Sequence, residues 1–233
     1  CHTNYSDGST TVAEWAEASR AAGYEWIGIT DHSGSAAFAG GLKAEDVPRQ
    51  HAEIDAVNVT VSGGRVLKGV EADILADGTL DYGPEVLDRF DFVIGSIHSR
   101  FGMTGEEMTQ RVLRAMDDPR LTILGHPTGR LLLSRDPYAL DLERVLAQAA
   151  ARGVAVEVNA DPHRLDLDWR MVRRARELGV TVSIGADVHS VAGMANVAVG
   201  VGVARKGWLA APDVLNTRDA DGFLDYARRR RGA

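Results

Sequence analysis

The chain has 233 residues, 45% of them hydrophobic and 25% charged, with a formal net charge of −7; this is the composition of one large globular domain or one α/β barrel. The acidic balance argues against a free-standing nucleic-acid clamp, which needs surplus Lys and Arg against phosphate, and it leaves room for a cluster of acids that holds cations. With Cys1 as the lone cysteine there is no internal disulfide, and neither a signal segment nor an apolar run approaching the ~20 residues of a membrane span is seen, so the expectation is a soluble cytoplasmic protein with no membrane partner.

In chain order, residues 11–22 carry a helical pattern that opens with Thr11 and Glu14 in capping-box spacing and ends at Gly23. EWIGIT (25–30) reads as a buried strand, 44–59 as a helix, and RVLKGVEADI (65–74) and FDFVIGSIH (90–98) as further strands. A helix over 104–116 precedes the strand LTILGH (121–126). A helix over 139–152 stops at Gly153, before the strand VAVEVNA (154–160). A helix over 168–178 stops at Gly179, before VTVSIGADVH (180–189); glycine at both stops suits a left-handed C-terminal cap. Each strand is rich in Val and Ile and apolar on both faces, as strands covered on both sides are. Strand alternating with helix implies a parallel sheet, and the length and regularity favour a closed or nearly closed βα barrel over an open sheet. No linker, repeat or low-complexity tract divides the chain, so 1–233 reads as one domain.

Five of the seven histidines take one kind of position. His2 opens the chain, His32 follows the first strand in GITDHS, and His98 and His126 end strands in GSIHS and LGHPTGR. His189 closes the last strand in GADVHS, just after Asp187; Glu71 ends a strand in KGVEAD, and Asp7 follows His2 in the opening loop. In a βα barrel all strand C-termini converge on one rim, where the chemistry sits. One histidine at a strand end is ordinarily structural; several at equivalent ends, with acids among them, are the donor types that bind Zn, Mn or Fe. His51 in RQHAEI reads as a solvated helix-face residue and His163 in DPHRLD as an ordinary loop residue. Asp31, beside His32, reads either as a partner orienting an imidazole or as a helix N-cap.

The motifs HTNYSDG, ITDH, GVE, SIHS, GHP and ADVHS, in that order, resemble the PHP family (polymerase and histidinol phosphatase domains). The resemblance implies a distorted (β/α)7 barrel, TIM-barrel-like, with a metal cluster at the C-terminal rim of the strands. It also implies a phosphoesterase site with two to three divalent cations, Mn favoured and Zn or Fe possible. Three ligand sets follow from it: His2, Glu71 and Asp187; Glu71, His98 and His126, with Glu71 bridging; and Asp7, His32 and His189. Glu71, His98 and Asp187 are assigned to catalysis. Family members usually begin with His-x-His, and His2 matches the second of that pair; the first would precede Cys1, so the expectation is an excised domain with a truncated first strand. HSGSAAFAGGL (32–42), EADILADGTLDY (71–82), GHPTGRLL (125–132), VNADPHRLDL (158–167) and GVGVARKGWL (200–209) resemble the C-terminal PHP domain of bacterial family X DNA polymerases.

The expected activity is metal-assisted hydrolysis of a phosphodiester at a DNA 3′ end, in DNA repair, with a covalently attached polymerase region outside this sequence. The competing readings are a stand-alone phosphatase of the histidinol-phosphatase kind, acting on a small phosphate ester, and a non-catalytic metal-binding module. Arg130 in HPTGR and Arg164 in DPHRL follow strand ends and are the candidates to fork onto phosphate; Arg100 and Lys43 are weaker ones, and each has the alternative of a surface ion pair. Arg228–Arg231 reads as a helix-end cluster or a solvated tail. GSAAFAGG (34–41) is either a lid over the mouth or a plain connection.

Overall fold

A computed structural model describes residues 1–61 and 63–232. Its frame is a six-stranded sheet with strand order identical to chain order: β1 (Trp26–Ile29), β2 (Arg65–Asp73), β3 (Phe92–Ser96), β4 (Leu121–Leu124), β5 (Ala155–Asn159) and β6 (Val182–Gly185). Every neighbouring pair is parallel, and the sheet curls into a half-barrel. Helices α1 (Val12–Ala21), α2 (Val47–Thr60), α3 (Pro84–Leu87), α4 (Gly105–Asp117), α5 (Leu142–Arg152), α6 (Trp169–Glu177), α7 (Val197–Lys206) and α8 (Ala220–Arg230) complete it. Where the resemblance implies seven strands, the place between β1 and β6 is taken by the opening residues. The Cys1 carbonyl accepts the Thr30 N–H at 2.8 Å, and the His2 N–H donates to the Val188 carbonyl at 2.9 Å.

Local signals set most boundaries. Thr11 and Thr104 both close capping boxes, with Glu14 and Glu107, and Gly153 ends α5 in the left-handed region at φ 67°. Two strands stop earlier than their apolar runs suggest: β3 leaves the sheet after Ser96 and β6 after Gly185. At Asp187, beyond the strand end, the backbone turns to φ 50°, and Val188 after it packs in a second core with Val12, Trp15 and Ile29.

The main core lies between the sheet and its outer helices, with Val70, Val93, Val112, Leu146 and Val156 wholly buried. Inside the curl, Leu67, Phe92, Ile123 and Ala155 pack against Leu215, Phe223, Leu224 and Ala227 at the foot of the sheet. Glycine makes room there: a Cβ on Gly28 would sit 2.6 Å from the Phe92 ring. A cavity of about 480 Å³ lies between β1 and β6, lined by apolar side chains such as Ile27, Phe92, Ile123 and Val214 and by polar ones that include Glu71, Glu157 and Asp187. Among the described residues no helix is long and apolar enough to cross a membrane.

Candidate metal centre

Strand periodicity aims the first donor. On β2, Glu71 and Asp73 share a face because successive side chains alternate, and the register sets Glu71 beside Ile94 and Asp73 beside Ser96. The ladder between the β1 and β2 ends continues past β1: Glu71 N–H donates to the Asp31 carbonyl at 3.1 Å and Ser33 N–H to the Glu71 carbonyl at 3.0 Å. That brackets His32 and turns it towards Glu71. His98 and His126 follow β3 and β4 directly, and His126 sits at φ 21°, a strained setting of the kind that clusters at functional sites. The opening loop folds back on itself, with the Ser6 and Gly8 N–H groups both donating to the Thr3 carbonyl. A side chain at Gly8 would overlap the His2 carbonyl, so this tight loop, which carries Asp7, requires glycine there.

These elements bring all the predicted donors together. Glu71 Oε1 lies 3.1 Å from His126 Nε2 and 3.5 Å from His98 Nε2. Its Oε2 lies 3.4 Å from His2 Nε2 and 3.3 Å from His32 Nδ1. Each oxygen of one carboxylate thus faces two imidazoles, the disposition of a bridging ligand. His2 Nε2 lies 3.2 Å from Asp187 Oδ1. Asp7 reaches His189 Nε2 at 3.2 Å and His32 Nε2 at 3.7 Å. His2 and His189 stack with ring centroids 4.2 Å apart. Three groupings bring donor atoms within 4.8 Å of one another: His2, Asp7, His32 and His189; His32, Glu71 and His98; and His2, Glu71 and Asp187. The residues fit divalent cations on the structure's own terms. Buried imidazole nitrogens His2 Nδ1 and His126 Nδ1 have no hydrogen-bond partner, and buried polar atoms are ordinarily satisfied.

The electrostatics show how tightly the groups are coupled. For His98, burial opposes the charged form, but the Asp73 hydrogen bond and Glu71 outweigh it and push the imidazole up to about 10. For His32 burial prevails over Glu71 and pulls it down to about 4, with His2 and His98 adding to the fall. Burial also opposes the charge on Glu71, yet its bonds to His126 and His98 hold it well below the usual carboxylate range. Asp187 is likewise depressed against burial by its bond to His2. His2 is raised by Asp187 and Glu71 in spite of complete burial. Without cations, protons on imidazoles balance the acids; a bound cation would take their place.

Several supporting residues escaped the sequence reading. Asp73 Oδ1 lies 2.6 Å from His98 Nδ1. Glu157 Oε2 accepts the His126 N–H at 2.7 Å, and Asn159 Nδ2 donates to Asp187 Oδ2 at 3.1 Å. Burial, then Asp187, push Glu157 up to about 8. Their signal was present: Asp73 follows Glu71, and Asn159 follows Glu157, at the spacing that puts strand residues on one face. Trp15 Nε1 donates to the His2 carbonyl at 2.8 Å. Asp31 corrects both of its readings, since it touches no imidazole and caps no helix. It is fully buried and accepts from Thr3 N and Thr3 Oγ1, from Ser6 Oγ and from Gln50 Nε2, each at 2.6 Å. It fixes the loop between His2 and Asp7.

The cationic candidates divide. Arg164 Nε lies 3.3 Å from Asp187 Oδ2, and its buried Nη1 has no partner. Arg130 spends its guanidinium on the carbonyls of Arg164, at 2.8 Å, and Leu165, with Asp168 at 3.9 Å; it braces the loop that carries Arg164. Lys43 and Arg100 are exposed. The reading of His51 as solvated is corrected: its ring packs edge-on against Phe90 at 4.9 Å, and burial pulls it down to about 4. His163 is exposed and pairs with Asp161 at 2.9 Å. The arginine run does end a helix: Arg230 donates to the Asp118 carbonyl at 2.7 Å and Arg231 to the Phe90 carbonyl at 2.9 Å.

Imidazoles and acids gathered around one shared carboxylate at the strand ends of a curled parallel sheet are a donor set suited to divalent metal on a βα scaffold. Comparison with known proteins agrees. The profile of the PHP domain family matches residues 1–161, and the chain belongs to that family. A Bacillus subtilis protein named DNA polymerase/3′-5′ exonuclease PolX is 42% identical over 96% of this chain, which spans 40% of that protein. A Syntrophotalea carbinolica protein carrying the name "Probable phosphatase" is 26% identical, over 93% of this chain and 89% of its own length. The crystal structure of histidinol phosphate phosphatase from Lactococcus lactis, complexed with Zn, L-histidinol and phosphate, superposes with a TM-score of 0.64. It covers 90% of this chain and 92% of that one at 16% identity, a likeness of fold.

Proposed function

We propose that the chain is a metal-dependent phosphoesterase that hydrolyses a phosphodiester at a DNA 3′ end, as one domain of a family X DNA polymerase acting in cytoplasmic DNA repair. The observation that carries the chemistry is Glu71, one carboxylate facing imidazoles on both oxygens. The DNA substrate is supported by the 42% identity to PolX, and the 40% of that protein spanned here leaves length for a polymerase region.

Divalent cations, Mn with Zn or Fe as alternatives, would supply Lewis-acid charge to the phosphoryl oxygens and to the attacking water. The chain's own groups do the rest. Glu71, His98 and His126 would hold one cation; His2 and Asp187, with Glu71, a second; Asp7, His32 and His189 a third. Asp73 fixes the orientation of the His98 ring through Nδ1, and Glu157 pins the His126 backbone; anchored ligands raise affinity because less order is lost on binding. Arg164 presents its guanidinium beside Asp187, where it forks onto a phosphoryl oxygen and balances the developing charge.

The test is to incubate Mn-loaded protein with 3′-labelled single-stranded DNA and with histidinol phosphate, beside a His98→Ala control. Release of 3′-terminal nucleotides, lost in the control, is expected. Turnover of histidinol phosphate alone would replace this reading with a small-molecule phosphatase, the activity to which the phosphatase relatives point.

A further inference from the structure

Phe38 is out of place as a hydrophobic residue. It is 69% exposed, while Ala36 and Ala39 beside it are buried to 1% and 3%. The segment is built rather than slack. Ala37–Ala39 form a short 3₁₀ turn closed by Gly40 at φ 59°. Ser35 N–H donates to Asp81 Oδ2 at 2.8 Å, Leu42 N–H to the His32 carbonyl at 2.8 Å, and Gly41 N–H to the Ala36 carbonyl at 3.2 Å. A side chain at Gly41 would overlap the Ser33 carbonyl, so the loop is drawn tight onto the end of β1. Its two buried alanines anchor it, and the one large side chain between them stands out.

That side chain stands over the metal-ligand cluster. The Phe38 ring centroid lies 5.6 Å from that of His32 and 5.6 Å from that of His98. The rings meet at steep angles, 65° and 60°, so Phe38 does not lie flat on either imidazole and keeps a face free. An exposed aromatic face next to a phosphate-hydrolysing centre is a stacking surface for a planar group attached to the scissile phosphate.

We propose that Phe38 is a stacking platform that receives the 3′-terminal nucleobase and so sets the specificity of the site for base-bearing DNA ends. This rests on the DNA 3′-end reading above. Base-on-aromatic stacking tolerates any base, which is what an exonuclease stepping through mixed sequence requires. Phe38 touches the leaving nucleotide and not the reacting atoms, so its effect falls on binding more than on the chemical step.

The experiment uses Mn-loaded protein, wild type and the variants Phe38→Ala and Phe38→Trp. The substrates are an oligonucleotide ending in 3′ adenosine and the same oligonucleotide ending in an abasic tetrahydrofuran residue. The expected result is a KM for the adenosine end that rises about tenfold in Phe38→Ala, with kcat nearly unchanged, an unchanged KM for the abasic end, and recovery in Phe38→Trp. A 3′-terminal 2-aminopurine is quenched on binding to wild type and not to Phe38→Ala. Turnover of DNA with equal KM values in wild type and Phe38→Ala overturns the platform and leaves the nuclease reading standing. Failure of wild type to release nucleotides from either end overturns both.

Discussion

The Glu157 carboxylate accepts the backbone N–H of His126 at 2.7 Å and so fixes a residue whose own backbone is at φ 21°. Glu157 is buried, at 7% exposure. Glu157→Ala leaves that N–H without an acceptor, which costs about 1–3 kcal/mol, and it frees His126 to move relative to Glu71. Denaturant unfolding should show a loss of that size, together with weaker cation binding. An unchanged midpoint would mean that the bond does not hold His126 in place.

Glu71 is the shared carboxylate, whereas His189 stands at the edge with its side chain 39% exposed. Replacing Glu71 by Gln should therefore remove more bound metal per chain than His189→Ala, by at least the roughly tenfold in affinity that loss of even a ligand's supporting partner costs. Metal content after gel filtration in limiting cation measures it. Equal losses from the two variants would contradict a bridging role.

The stability of the metal-free protein should fall as the solution becomes alkaline. Burial and Asp187 raise Glu157 from 4.5 to about 8, and Asp73 and Glu71, against burial, raise His98 from 6.5 to about 10. A raised group stabilises fully below its unfolded value, and that contribution is lost as pH climbs through its folded value. Glu71 and Asp187, both depressed, act oppositely and withdraw their stabilisation only in acid. Chelated protein should thus melt at progressively lower temperature from pH 6.5 to 10. Cation loading displaces protons from imidazoles, so it should release protons in calorimetry with buffers of different ionisation enthalpy and should flatten or reverse the decline. A chelated protein that grows more stable across that range would refute the assignment.

Asp31 holds the opening loop through Thr3, Ser6 and Gln50. In Asp31→Ala the buried donors on Thr3 and Gln50 lose their acceptor, at a cost of about 3 kcal/mol or more. Because Asp7 rides on that loop, binding at the His32 and His189 side should weaken more than at the Glu71–His98–His126 side. Cation titration of the variant, followed by histidine NMR shifts, separates the two sides.

Much of the architecture is local in origin and was open to reading along the chain. Val- and Ile-rich runs, threonine–glutamate capping boxes and glycine stops are short-range signals. They located β1 to β6 and the helices α1, α2, α4, α5 and α6 to within a few residues. Helix α7 was missed: VAVGVGVARK is poor in helix formers. What makes it a helix is packing, for Gly200 lets it approach Ala160 and Ile184, where a Cβ would come within 2.7 Å. The gathering of His2, His32, Glu71, His98, His126 and Asp187 was legible because a parallel sheet carries every strand end to one edge. Which atom faces which was not. That Glu71 offers each oxygen to two imidazoles, that Arg130 turns to backbone carbonyls while Arg164 stays by Asp187, and that Asp31 serves the loop rather than a ring are settled by register and side-chain reach between residues far apart in sequence. Periodicity carries the direction in which a side chain leaves its own strand; only the packed sheet decides what it meets there.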